Sequence, residues 1–432
     1  MRISSLSLHT LYTVLFYGLI PFIVARLLWR SIKAPAYRQR WQERFGYYQS
    51  AAQHDVIWFH AVSVGETETL FPLIKIIQQK HPGARLLITT TTPTGSARVS
   101  AVLKNTVQHV YLPYDIPGAV NRFMRHFKPR IAVIMETEIW PNLFNACAKQ
   151  AIPLTLINAR LSERSTRGYQ KIPTLIKPVL AHVHIVSQSQ QDTERFVAIG
   201  ANRQQLKTVG NMKFDIDTSP DLLAHGAVMK AALFNTRFVW LIASTHHGEE
   251  AIFLSIYQEI KQHIPELLLV IVPRHPERFA DVKKLCEQQQ LKVITRTSKD
   301  NLHANTDVYL LDVMGELKHF YATADVAFVG GSMVNIGGHN ILEAAAVGIP
   351  VLFGPFMANF KAIADNVLRA EAAIQCHNKP ALIAAITHLY QDTVYRETLA
   401  KKGQAFVANN TGIVTKVYDI LATQLTPECS FY

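Results

Sequence analysis

Beyond residue 45, short runs rich in Val, Ile and Leu alternate with longer stretches in which apolar residues recur at helical spacing. Such alternation predicts the strand–helix units of an α/β fold. In the first half the strand-like runs are 56–61, 84–91, 109–114, 131–136, 154–158 and 184–189. They are apolar almost throughout, as strands covered on both faces of a parallel sheet are. The second half repeats the plan at 238–244, 267–273, 292–296, 308–311, 326–330 and 350–353. Between the halves, residues 211–221 are polar, contain a proline and lose apolar periodicity, which marks a linker. The expected organisation is a head at 1–45, a Rossmann-like domain at 46–210, a linker at 211–235 and a second Rossmann-like domain at 236–432, with a ligand cleft between the two.

Residues 1–45 break the pattern. No Asp, Glu, Lys or Arg stands between Arg2 and Arg26, and residues 11–24 read LYTVLFYGLIPFIV. A helix over residues 11–29 would be about 28 Å long, near the hydrocarbon thickness of a bilayer if Arg26 snorkels. A cleaved signal peptide is disfavoured, because no small-x-small site follows the run and the basic residues come mainly after it. A buried core helix would leave those arginines unexplained. The expectation is an uncleaved anchor or a monotopic segment, with Arg26, Arg30, Lys33, Arg38, Arg40 and Arg44 against an anionic membrane surface.

Charge supports this. Seven basic residues against Glu43 alone place half of the chain's net +12 in the head. An excess concentrated beside an apolar segment, with no aromatic-basic platform elsewhere, argues against nucleic acid as a partner. Four cysteines, Cys147, Cys286, Cys376 and Cys429, are scattered without C-x-x-C spacing, which suggests neither a disulfide framework nor a zinc ribbon. With 49% apolar and 18% charged residues the chain is not disordered.

Candidate chemistry lies at strand ends. The first run leads into His60-Ala-Val-Ser-Val-Gly-Glu66, and a helical pattern begins around Thr67. Gly65 lets the backbone turn tightly or approach a ligand; Glu66 is either a general base or a carboxylate stabilising the helix dipole. The run 131–135 leads into Glu136-Thr-Glu138. If the strand continues, both carboxylates face one side, and carboxylates kept close raise one another's pKa. They either serve catalysis or hold a basic neighbour, for which Arg160 of Asn158-Ala-Arg160 is the simplest partner.

In the second half, Ser244-Thr245-His246-His-Gly-Glu-Glu250 follows a strand and opens a helix, offering hydroxyls and N–H groups as an anion seat. Pro273-Arg274-His275-Pro-Glu-Arg278 offers two arginines to a phosphate or carboxylate, unless these are exposed loop charges. In the glycine-rich segment 330–343, Asn340 or Ser332 begins a helix carrying Glu343, which is placed to accept hydrogen bonds from ribose hydroxyls. The alternative is a turn with a capping Asn and no ligand. The segment has neither the G-x-G-x-x-G order nor a G-K-[ST], so a nucleotide-bound sugar fits better than NAD or ATP.

Together, HAVSVGE at 60–66, METEIWP at 135–141, NARLS at 158–162, GNMK at 210–213, PRH at 273–275, MGE at 314–316 and GGHNILE at 337–343 resemble one family over essentially the whole chain. It is that of the 3-deoxy-D-manno-octulosonic acid (Kdo) transferases, GT-B glycosyltransferases of lipopolysaccharide assembly. The resemblance implies an acceptor domain followed by a nucleotide-sugar domain, with the last helix returning to the first. It implies CMP-Kdo as donor, the tetraacylated lipid A precursor as acceptor, inversion at the anomeric carbon, neither metal nor cofactor, and the cytoplasmic face of the inner membrane. By similarity, Glu66 is the general base and Glu136 and Lys213 stabilise the transition state. Arg274, His275, Met314, Gly315, Glu316, Asn340, Ile341, Leu342 and Glu343 would hold CMP, supported by Gly65, Ser244, Thr245, His246 and Ser332. The rival readings are a GT-B transferase or epimerase using a UDP-sugar, and a membrane-attached anionic-lipid binder without catalysis.

Overall fold

In the computed structural model, which describes residues 5–425 apart from 217, 219 and 299, the chain forms two compact units, Met1–Asp215 with Gly412–Tyr432 and Ile216–Thr411. Arg2, Cys429 and the side chain of Lys33 lie outside the described residues.

The first unit holds β1 (Val56–His60), β2 (Leu86–Thr90), β3 (Gln108–Tyr111), β4 (Pro129–Met135), β5 (Leu154–Ala159), β6 (Val183–Ser187) and β7 (Leu206–Thr208). They form one parallel sheet in the order β3-β2-β1-β4-β5-β6-β7, with Phe59 opposite Ile88 on one side and Val133 on the other. Side-chain alternation sends Trp58, Ala132, Ile134 and Leu156 to one face, against Phe123, Phe127 and Phe196. Ile57, Phe59, Val133 and Met135 go to the other, against Leu70, Ile74 and the far end of the chain: Val417, Leu421 and Leu425 of the helix Ile413–Leu425. The Asp215 carboxylate accepts the N–H groups of Gly412 and Val414, fixing where that helix enters.

The second unit holds β8 (Phe238–Thr245), β9 (Leu267–Pro273), β10 (Val293–Thr295), β11 (Val308–Leu310), β12 (Val326–Val329), β13 (Val351–Phe353) and β14 (Ile374–Gln375), also parallel, in the order β10-β11-β9-β8-β12-β13-β14. Trp240, Phe253, Tyr257 and Phe328 anchor its core. Residues 220–233 of the expected linker form a helix in this unit, tied by a 2.7 Å Lys230–Asp325 ion pair. The two terminal strands β7 and β14 were not expected from the apolar runs. The strand order switches direction between β1 and β4 in the first sheet and between β8 and β12 in the second, where β10 and β11 are also inverted, and the crevice beyond such a switch is where open α/β sheets bind ligands.

The N-terminal helix Ser5–Lys33 is long and apolar enough over residues 8–32 to cross a membrane. One stripe of it, Tyr12, Thr13, Phe16, Ile20, Ile23, Leu27 and Ser31, is partly or fully buried at three- and four-residue spacing, the period of a helix face lying against a support. The Tyr12 hydroxyl donates to Asp115 at 2.8 Å and the Thr13 hydroxyl to Asn142 at 3.1 Å. Away from the stripe, Val14, Leu15, Phe22, Leu28, Trp29 and Ile32 are exposed.

Candidate functional site

At the switch point of the first sheet, the chain leaves β1 and enters the helix Val64–Lys80, with Ser63 at its cap and Glu66 in its first turn. One Glu66 oxygen accepts the Val62 N–H at 2.8 Å and the other the Ser63 hydroxyl at 3.2 Å. Burial, then the nearby charges of Glu136 and Glu138, push its carboxyl up to about 7, against the pull of those two hydrogen bonds. The helix starts three residues earlier than the pattern suggests. Gly65 therefore lies in its first turn, not in a tight turn, and a Cβ there would meet only open space beyond the Ser63 hydroxyl at 4.0 Å. The turn reading of Gly65 is thus corrected.

The two carboxylates after β4 do not share a face by strand alternation, because β4 ends at Met135 and Glu136 has φ 57°. Left-handed backbone at a non-glycine residue costs about 1–3 kcal/mol and concentrates at functional sites. Here it turns Glu136 between two cations, 3.1 Å from Lys213 Nζ and 3.1 Å from Arg160 Nε. Glu138 instead accepts the Trp140 indole N–H at 2.9 Å, and burial raises its pKa. Lys213 is placed from β5: Asn158, itself at φ 49°, accepts the Met212 N–H at 2.9 Å, and Asn211 accepts the N–H of Lys213 at 3.0 Å. His60 belongs to the core. It is fully buried, its Nδ1 lies 2.9 Å from the Thr89 hydroxyl, and burial lowers its pKa to about 4. The first unit therefore brings Glu66, Glu136 and Lys213 to one sheet edge.

At the second switch point one N–H of the expected anion seat, that of His246, is engaged within the protein. Glu249 accepts the N–H groups of His246 at 3.0 Å, Gly331 at 2.7 Å, Ser332 at 3.1 Å and Met333 at 3.0 Å, so the first residue of this helix ties the loop before it to residues 331–333. Thr245 donates to Glu250 at 2.7 Å, and Glu250 pairs with Arg278 at 2.5 Å. Ser244 is buried at φ 59°, and Ser332 is fully buried, donating to the Val329 carbonyl and accepting the Gly354 N–H at 2.8 Å. Thr245, Ser244 and Ser332 thus brace the loops, and Ser332 does not begin the later helix. Glu249 stood in the motif unnoticed, since nothing local signals that residues 331–333 fold back over it.

What this edge presents outward is different. His246 and His339 meet at 2.8 Å through Nε2, with rings nearly parallel, and the His275 ring stands 5.4 Å from His246. Burial, with the charge of Arg274 nearby, holds His339 down at about 3, and burial lowers His246 too. In the Nε2–Nε2 contact one ring donates its proton and the other accepts it. Asn340 accepts the Leu342 N–H at 3.2 Å and donates to Glu343 at 3.4 Å, fixing that carboxylate beside the short helix Leu342–Ala346. Ile341 and Leu342 turn their side chains into the core, leaving only backbone to a ligand. Gly338, at φ 72°, brings the backbone so close to Met357 that a Cβ would lie 2.3 Å from the sulfur. Met314 is exposed, Gly315 turns at φ 93°, and Glu316 is engaged by Arg296 at 2.9 Å.

Comparison with known proteins follows the same division. A family model described as 3-deoxy-D-manno-octulosonic-acid transferase matches residues 39–216, and one described as glycosyl transferases group 1 matches residues 251–406. The chain is 36% identical over 418 residues to the 3-deoxy-D-manno-octulosonic acid transferase of Haemophilus influenzae, covering 96% of this chain and 98% of that protein. It is 32% identical over 427 residues to the Bordetella pertussis transferase of the same name, covering 95% and 98%. Among solved structures, UDP-GlcNAc 2-epimerase from Neisseria meningitidis matches with a TM-score of 0.55 at 15% identity, over 86% of this chain and 99% of that one, a likeness of fold.

Proposed function

Because the chain belongs to the 3-deoxy-D-manno-octulosonic acid transferase family, we propose that it moves Kdo from CMP-Kdo to a hydroxyl of the acylated lipid A precursor, with inversion and with Glu66 as general base. The observation that carries this reading is the state of Glu66: a half-buried carboxyl at a sheet's switch point, poised near neutrality beside two further carboxylates. A base of that pKa accepts a proton at the pH of a cytoplasm without remaining permanently protonated.

The acceptor oxygen forms the new bond to the anomeric carbon as its proton passes to Glu66. The bond from that carbon to the cytidylate phosphate breaks on the opposite side, and its electron pair leaves with CMP. Lys213 and Glu136 form a fixed dipole for the charge that develops during transfer. Arg274, His275, the 314–316 turn and the Asn340–Glu343 carboxamide–carboxylate pair receive the nucleotide, the last of these meeting ribose hydroxyls. The N-terminal helix attaches the enzyme to the cytoplasmic face of the inner membrane, where the anionic surface attracts its arginines.

The test is mass analysis of products made by the purified full-length protein from the lipid A precursor, with CMP-Kdo in one set of reactions and UDP-sugars in another. A mass increase of one or more Kdo residues with CMP-Kdo alone is the expected result. Transfer from UDP-sugars only, or no product with any donor, overturns it.

A further inference from the structure

A cavity of about 440 Å³ opens within the first unit, alongside the N-terminal helix. That is within the range of ligand pockets, about 300–1,000 Å³. The helix supplies one wall through Phe16, Ile23, Arg26, Leu27 and Arg30; Leu112, Pro113, Tyr114 and Trp140 supply the facing one. Its lining reaches Val62, whose N–H holds Glu66, and Glu138, one of the carboxylates that raise Glu66. The cavity thus borders two residues that act on the proposed base.

Its lining carries three arginines against two acids. Arg44, only 5% exposed, is held by the Thr91 carbonyl at 2.9 Å and lies over the Tyr111 ring, while its buried Nε has no partner. Arg26 and Arg30 are exposed, and among the described residues no carboxylate forms an ion pair with any of the three. The two acids in the lining are engaged elsewhere, Asp115 by Tyr12 and the N–H groups of Asn142 and Leu143, Glu138 by Trp140. Guanidinium groups without a carboxylate partner above an apolar wall suit a phosphate joined to a hydrocarbon chain. The Tyr12–Asp115 and Thr13–Asn142 hydrogen bonds fix the helix as a wall along this unit.

We propose that the N-terminal helix is part of the acceptor site itself, the cavity taking the phosphate-bearing, acylated end of the glycolipid, with Arg26, Arg30 and Arg44 on the phosphate and Phe16, Ile23 and Leu27 along an acyl chain. This rests on the functional reading above and adds the residues that select the acceptor.

The experiment uses the full-length protein in detergent, comparing wild type with R26Q/R30Q and with the cavity-filling variant Leu27→Trp. Transfer is measured against a bisphosphorylated tetraacyl disaccharide and its dephosphorylated form. Binding of the same glycolipids is followed by native mass spectrometry, CMP binding by calorimetry, and attachment by sedimentation with phosphatidylglycerol vesicles. R26Q/R30Q is expected to raise the KM for the phosphorylated acceptor about tenfold, as loss of a charge-assisted contact does, with CMP affinity unchanged and no difference from wild type on the dephosphorylated acceptor. Leu27→Trp weakens both acceptors. If R26Q/R30Q loses vesicle attachment while acceptor KM and binding stay as in wild type, the arginines read bulk membrane lipid and the proposal is overturned. If wild type binds the glycolipid through these residues yet transfers nothing, the functional reading fails and the binding site stands.

Discussion

Glu66→Gln tests the base and its electrostatics together. Glutamine keeps the shape of the protonated acid, and its amide can accept from Val62 while donating to the Ser63 hydroxyl, so the loop geometry survives. With a carboxyl raised from 4.5 to about 7 in the folded protein, at 1.36 kcal/mol per pKa unit, wild type gives up about 3 kcal/mol of stability as pH rises between those values. The sign follows from proton counting: in that window the folded state holds a proton that the unfolded chain has released, so raising the pH favours unfolding. The variant lacks this term. Urea midpoints of the two proteins from pH 4.5 to 8 should therefore diverge in favour of Glu66→Gln, with the gap growing up to about pH 7 and then levelling. In parallel, wild-type kcat/KM should fall about tenfold per pH unit below about 7, while the variant loses transfer by several orders of magnitude yet binds CMP normally. A pH-independent stability gap, or an acid limb near the ordinary carboxylate value, refutes the reasoning.

Three further outcomes follow from particular contacts. Glu136→Gln removes the largest neighbouring charge acting on Glu66 and should shift the acid limb of any residual activity to lower pH, read from a pH–rate profile. Glu249→Ala strands four loop N–H groups at about 1–3 kcal/mol for each one left buried and unmet, so the second unit should lose several kcal/mol and become sensitive to limited proteolysis. Glu343→Ala should weaken CMP binding about tenfold by calorimetry, as loss of hydrogen bonds to a charged group does, without changing the affinity for the glycolipid.

The central strands of both sheets were readable because burial on two faces writes continuous apolar runs. β7 and β14 were not, since strands of three and two residues at a sheet edge carry too little apolar sequence to stand out. Glu66 and Glu136 stood out as carboxylates at the ends of apolar runs, whereas Lys213 came only from the family resemblance, because the strand before it was not legible. The orientation of Glu136 was not legible either, because alternation assumes an extended backbone and this residue leaves it. The role of Glu249 was hidden because it meets residues 331–333, a contact across more than eighty positions that local pattern does not encode.

The return of the helix Ile413–Leu425 to the first sheet sets an order on biogenesis. On a ribosome, the whole second unit emerges before the segment that packs with Ile57, Phe59 and Leu70 is synthesised. The nascent first unit thus waits for some two hundred codons with that face covered by the helix Val64–Lys80 but not by the helix Ile413–Leu425, and a chain cut before residue 413 keeps a complete second unit and an incomplete first.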